Sequence, residues 1–163
     1  MLAEDIEEIA RAHVQSWQEA YRGQVPDAFL DSLTVASRVK MWSGVFDTDN
    51  MNALVAVEDD AIVGFTGFGP SRDDDPELRV GEVQTIYVLQ DWWGRGVGPE
   101  LMKQALAHFA STGTNTVRLW ALGSNERALA FYGKFGFSLD GEEKTVERPG
   151  FELHEVRLSV VLQ

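Results

Sequence analysis

Apolar side chains at Ile6, Ile9, Ala10, Val14, Trp17 and Tyr21 recur every three or four residues, which predicts an amphipathic helix. Glu4, Asp5, Glu7 and Glu8 crowd its start, where negative charge suits the helix dipole, and Gly23 supplies the stop. Pro26 opens a short second helix through Leu33, and Thr34 caps a third over 35–46. The period then changes. Residues 53–57 and 62–68 are β-rich runs around Glu58-Asp59-Asp60 and read as an antiparallel hairpin. Residues 70–80 hold two prolines and Asp73-Asp74-Asp75, the composition of a solvated loop. Residues 82–89 are apolar on both faces, so this strand is central and covered on both sides. A glycine-rich turn leads to a helix over about 99–110, followed by a strand at 116–122 and a helix at 126–134. Two closing strands are expected, about 137–139 and 152–162. The pattern gives one α/β domain over residues 1–163, built on a mixed sheet.

Charge narrows the choice of partners. In 163 residues, 14 Lys and Arg face 26 Asp and Glu, a net charge of −12. Such a surface repels polyphosphate, which argues against nucleic acid and anionic membranes and favours cations such as amines. Cysteine is absent, so disulfides, thiolate metal sites and cysteine nucleophiles are excluded. His13, His108 and His154 have no ligand spacing, and no metal is expected. The opening MLAEDIEEIA lacks the basic flank and apolar run of a signal peptide, and no apolar stretch is long enough for a bilayer; a cytoplasmic protein is the expectation.

Two segments could carry chemistry. Trp93-Gly94-Arg95-Gly96-Val97-Gly98 lies between a strand and a helix. Glycines there allow a tight turn and bring N–H groups to an anion at a helix N-terminus, the recipe for a pyrophosphate cradle. A dinucleotide fingerprint starting at Gly94 fails at Pro99, and no Walker A sequence occurs; an ordinary strand-to-helix turn remains the alternative. The second segment runs from Ser124-Asn125 to Tyr132 and closes on Gly136-Phe137. Asn125 is placed to cap a helix, and Phe131 and Phe135 have core spacing. Tyr132 stands beside that pair with a hydroxyl to place.

Taken in order, the strand G-E-V-Q-T-I-Y-V, the turn W-G-R-G-V-G, the segment N-E-R-A-L-A-F-Y and the closing G-F resemble the GNAT superfamily of acetyl-CoA-dependent N-acetyltransferases. The opening W-Q-E-A-Y-R-G-Q-V-P-D is similar to the acceptor-side helices of a bacterial subgroup. The resemblance implies a mostly antiparallel sheet flanked by helices and acetyl-CoA as cosubstrate. It also implies a small-molecule amine or peptide as acceptor, and it admits a homodimer. It places the CoA pyrophosphate on the amides of Gly94, Arg95, Gly96, Val97 and Gly98, and the pantetheine arm along Ile86, Val88 and Asn125. Glu82 takes the place of a base and Tyr132 that of a proton donor to sulfur.

Trp17 and Tyr21, one helical turn apart, could offer an amine a cation–π pocket, although such a pair is more often core. Three departures stand out. Trp93 replaces the usual Gln or Arg, Pro99 removes one N–H, and the family's first strand is short or missing ahead of the first helix. Two other functions stay open: a catalytically silent acyl-CoA-binding sensor and a non-catalytic interaction domain.

Overall fold

The computed structural model describes residues 5–46, 51–73 and 79–162. Helix α1 (Ile6–Ala20) is its first element, followed by α2 (Asp27–Ser32) and α3 (Val35–Phe46). Pro26 immediately precedes α2 at φ −54°, a value its ring already enforces. The Thr34 hydroxyl accepts the Ser37 N–H at 3.2 Å, as the sequence pattern predicts. Strands β1 (Asn52–Glu58) and β2 (Ala61–Pro70) form the expected hairpin. Asp59 and Asp60 turn it at φ 47° and 64°, left-handed values that match the twist of paired strands. Then come β3 (Val80–Val88), α4 (Val97–Ser111), β4 (Thr116–Leu122), α5 (Glu126–Gly133), β5 (Ser138–Arg148) and β6 (Phe151–Val161).

The six strands make one sheet in the order β1-β2-β3-β4-β6-β5. Every neighbouring pair is antiparallel except β3 with β4. Helices α4 and α5 cover one face through Phe68, Val83, Met102, Phe109, Val117, Leu119 and Leu158. On the other face, α1 and α3 bury Ile9, Trp42, Ile62 and Phe65. A smaller cluster of Val25, Leu30 and Leu153, with Trp17, Phe29 and Phe151 against it, ties α2 to the β5–β6 hairpin.

Packing under α4 is tight enough to require glycine at one place. A Cβ on Gly81 would lie 2.3 Å from the Phe109 ring, which is itself held against Phe68. Gly81→Ala should therefore cost about 1–3 kcal/mol through overpacking. Urea unfolding checks this; an unchanged midpoint would show that α4 can step away from the sheet.

Strand β3 is irregular in two respects, and both shape the space beside it. Gly67 pairs with Thr85 but Phe68 pairs with Val83, so Gln84 is an extra residue in the strand. Thr66 and Thr85 satisfy the interrupted ladder, one hydroxyl donating to the Thr85 carbonyl at 2.8 Å and the other accepting the Gly67 N–H at 3.0 Å. The parallel pairing with β4 is short as well. It covers only Val80–Thr116, Gly81–Val117 and Glu82–Arg118, after which the two strands part.

The sequence reading is corrected in the tail. Residues 137–139 are not a three-residue strand; β5 extends to Arg148. Its ladder with β6 is interrupted, since Leu139 pairs with Leu158 and pairing resumes only at Glu143 with Val156, leaving Asp140, Gly141 and Glu142 as a bulge with Gly141 at φ 94°. As an edge strand it is kept from pairing further by its charges. The expected loop at 70–80 is shorter too, because Pro70 closes β2 and Val80 opens β3. Asp73 is not simply solvated: it accepts the Trp120 indole N–H at 3.2 Å and pairs with Arg157 at 3.0 Å. Asp74 and Asp75 lie outside the described residues.

Candidate active site

The turn after β3 spends the Arg95 N–H on the Trp92 carbonyl at 3.4 Å, so the cradle expected there rests on its other donors. Gly94 and Gly96 sit at φ 74° and 88°, and a Cβ built on either meets nothing within 4 Å. Gly96 caps α4, and that helix opens with a bond from the Glu100 N–H to the Gly96 carbonyl at 3.0 Å. The N–H groups of Val97 and Gly98 thus belong to the turn whose donors a helix cannot use, and Pro99 has none to offer. Arg95 folds back over the Trp92 ring at 4.9 Å. Trp93 acts differently from a Gln or Arg: its indole N–H donates to the Val88 carbonyl at 2.7 Å, while Arg127 of α5 lies 3.3 Å over its ring. The side chain pins the strand end to the turn and α5 to both.

The gap between β3 and β4 leads into this turn. Leu89 donates its N–H to Val63 at 3.0 Å. Strand alternation therefore turns the backbone of Tyr87 toward β2 and that of Ile86 and Val88 away from it, into the gap. The Val88 carbonyl is taken by Trp93, which leaves its N–H and both backbone groups of Ile86 for another partner. On the far side Asn125, buried, caps α5 by accepting the Ala128 N–H at 3.1 Å. Its amide NH2 has no partner among the described residues.

Three hydroxyls meet in the same gap, and they are the chain's 3 tyrosines. Tyr132 packs with the α4–α5 core, yet its hydroxyl interacts with that of Tyr87; Tyr21 interacts with both. Burial, and after it the neighbouring tyrosine hydroxyls, holds Tyr132 and Tyr21 above the usual phenol range. Burial also raises Tyr87. Beneath Tyr87 the His13 ring stacks at 5.1 Å, and its Nδ1 accepts the Trp42 indole N–H at 3.1 Å. Burial, with the charge of Arg38 second, depresses His13 to about 3.

Glu82 is 1% exposed, on the α1–α3 side of the sheet. Arg72 engages both its oxygens, through the backbone N–H at 2.9 Å and through Nε and Nη2 of the guanidinium. The pair forms one wall of a cleft of about 390 Å³ that also touches Asp73, Lys144, Arg148 and Glu155. Trp17 and Tyr21 stand edge to face at 4.9 Å, and the Trp17 ring lies under the protein's own Arg38 at 5.7 Å. The ring offered to a substrate amine is thus already covered by a cation.

Ile86, Val88, the turn, Asn125 and Tyr132 border the gap between β3 and β4, whereas Glu82 lies where the two strands are still paired, beside Arg118, and lines the cleft with Arg72. Sequence reading missed Arg72, Tyr87, Arg38 and Arg148. Tyr87 had a signal, as a hydroxyl on a strand expected to be covered on both faces. The arginines had none, because they are brought in by a loop, a helix and an edge strand.

Comparison with known proteins decides the family. A sequence profile described as the Acetyltransferase (GNAT) family matches residues 6–137. The chain belongs to the GNAT family. Like its relatives it is an acyltransferase. An uncharacterized N-acetyltransferase of Bacillus subtilis, YuaI, is 27% identical over 160 residues, covering 97% of this chain and 86% of its own. An uncharacterized N-acetyltransferase of Mycobacterium tuberculosis is 30% identical over 138 residues, covering 84% and 85%. Among solved structures, the PaiA N-acetyltransferase of Thermoplasma acidophilum in complex with coenzyme A has the same fold, at TM-score 0.77 and 17% identity, over 99% of this chain and 96% of that one. In this GNAT protein no helix among the described residues is long and apolar enough to cross a membrane.

Proposed function

We propose that residues 1–163 form a single N-acetyltransferase domain that moves the acetyl group of acetyl-CoA to a primary amine of a small molecule or peptide, by direct transfer. The observation that carries this reading is the gap between β3 and β4, with unpaired backbone at Ile86 and Val88, running into the open glycine turn. The amides of Gly94, Gly96, Val97 and Gly98 hold the pyrophosphate there, the Arg95 N–H being taken by Trp92, and the exposed N–H and C=O groups of β3 pair with the pantetheine. Asn125 contributes its NH2.

Acetyl transfer joins the amine nitrogen to the thioester carbon and breaks the carbon–sulfur bond. The ammonium must first lose a proton, which Glu82 accepts directly or through water. The Val88 N–H faces the carbonyl oxygen where negative charge develops. Tyr132, kept protonated by burial, gives its proton to the departing thiolate and regains one from solvent. The two reactants, held together, need no covalent enzyme intermediate.

Calorimetry with CoA tests the placement. Gly96→Val puts a branched side chain into the open turn and should weaken CoA binding by about tenfold or more; the left-handed backbone adds about 1–2 kcal/mol of strain, so a thermal melt must accompany the titration. Unchanged affinity in a folded variant would move the pyrophosphate elsewhere. A second reading, a silent acyl-CoA sensor, draws support from the grip of Arg72 on both Glu82 oxygens. Release of free thiol in the presence of amines separates the two.

A further inference from the structure

The acidic composition of the chain suggests a cationic acceptor, but the cleft itself is balanced, with Arg72, Lys144 and Arg148 against Asp73, Glu82 and Glu155. Its charges can be paired off one by one. Arg72 is held by Glu82, Lys144 lies 3.5 Å from Glu155 and against the Trp120 ring, and Asp73 is taken by Arg157. What remains is Arg148, which lines the cleft and has no carboxylate partner among the described residues.

Arg38 approaches from α3. Its guanidinium touches the Trp17 face and the Met41 sulfur, at 3.7 Å from Nη1, and its Nε is buried without a partner. Neither contact neutralises it. Burial lowers its pKa, Tyr87 partly offsets this, and the charge of Arg148 lowers it further. The Trp17 ring beneath Arg38 packs in the cluster that holds Val146, which lines the cleft two residues before Arg148. Arg38, half-buried and without a counter-ion, is costly unless something supplies the missing charge.

We propose that the acceptor of this enzyme is a small amine that also carries an oxyanion, a carboxylate or a phosphate, bound by Arg148 and Arg38 beside Glu82. This rests on the acetyl-transfer reading above. Guanidinium forks suit either oxyanion, and about 390 Å³ holds a molecule of amino-acid size. The arrangement also serves the chemistry. Positive neighbours disfavour the ammonium form of the bound amine, so the acceptor enters the reaction closer to the neutral nucleophile that attack requires. Overall negative charge and local positive charge are compatible, because the first acts through screened solvent and the second within a few ångströms.

The test uses matched pairs: an α-amino acid against its methyl ester, and phosphoethanolamine against ethanolamine, with spermidine as the cationic comparison. The readout is kcat/KM from thiol release. The anionic member of at least one pair should be preferred by about tenfold or more, and which pair shows it distinguishes carboxylate from phosphate. Arg148→Gln, at an exposed position where folding is not at stake, should bring the members of that pair within about threefold of each other. Arg38→Gln should do the same, with a thermal melt to confirm folding.

Absence of anion preference in both pairs, or preference for spermidine over both anionic acceptors, overturns the proposal, as does an undiminished preference in Arg148→Gln. If nothing in the panel is turned over, thermal shifts of the CoA-bound enzyme decide. A rise with the anionic members that Arg148→Gln removes supports it, and no rise overturns it. Calorimetry with CoA alone keeps the two levels apart: no CoA binding sinks the acetyl-transfer reading, whereas CoA binding without anion preference sinks only this inference.

Discussion

Glu82→Gln should lower turnover by about a hundredfold near neutral pH, with partial recovery as the pH rises. The amide keeps the volume of the carboxyl and can still accept the Arg72 N–H, so the buried site retains its shape. It cannot take a proton from an ammonium ion. At higher pH more of the acceptor arrives already neutral, and the need for a base fades. Tyr132→Phe is the complementary change. It removes one hydroxyl, keeps the ring against Phe131 and Phe137, and should slow thiolate departure while CoA still binds. Because burial raises the Tyr132 hydroxyl, it stays protonated beyond the usual phenol range, so the wild-type rate should not fall through tyrosine ionisation between neutrality and about pH 10. Since both residues serve one reaction path, their effects should not add. Steady-state kinetics across pH decides it. Full turnover of Glu82→Gln at neutral pH would assign the base to a water chain or to another carboxylate.

Acid should destabilise the fold through His13. Folded, this imidazole is depressed from 6.5 to about 3, because it is buried and its Nδ1 must accept from Trp42. The sign follows from which state binds the proton. Between these values the unfolded chain is protonated at His13 and the folded chain is not, so each step down in pH favours unfolding. The stabilisation is complete above about pH 6.5 and is lost progressively toward pH 3. From pH 7 to 5 the loss should reach about 2 kcal/mol, and over the whole range about 4–5 kcal/mol, a large part of the stability of a domain this size. His13→Gln retains an acceptor for the indole and should flatten the slope between pH 7 and 5. Urea midpoints of both proteins over that interval provide the measurement. Equal slopes would mean that His13 becomes charged without unfolding.

Much of the fold was legible because most elements carry a local signal. The 3.6-residue period of α1, the proline before α2, the Thr34 cap and the paired aspartates between β1 and β2 each act through neighbours in sequence. The fourth and fifth strands along the chain, β4 and β5, show the contrast. The alternating burial of β4 announces it, whereas β5 is a run of charges that becomes a strand only because β6 offers it a ladder. The site divides in the same way. The glycine turn and the Asn125 cap are consequences of local backbone needs. The meeting of Glu82 with Tyr87 is not, since residues five apart on a regular strand face opposite sides. The extra residue at Gln84 reverses the alternation and brings both to the α1–α3 face. No period in the sequence marks that bulge. Likewise the grip of Arg72 on Glu82 depends on how a loop returns, which is decided by tertiary packing.

The convergence of Tyr21, Tyr87 and Tyr132 gives the molecule its own spectroscopic label. Biosynthetic replacement by 3-fluorotyrosine would produce a fluorine spectrum of three resonances, all from the gap between β3 and β4 and none from elsewhere in the chain. Each ring borders a different element: helices α1 and α2 at Tyr21, the strand at Tyr87 and the α5 wall at Tyr132. Titrating nucleotide and acceptor separately would then reveal which wall each one touches, and in what order, without a mutation, a crystal or an attached dye.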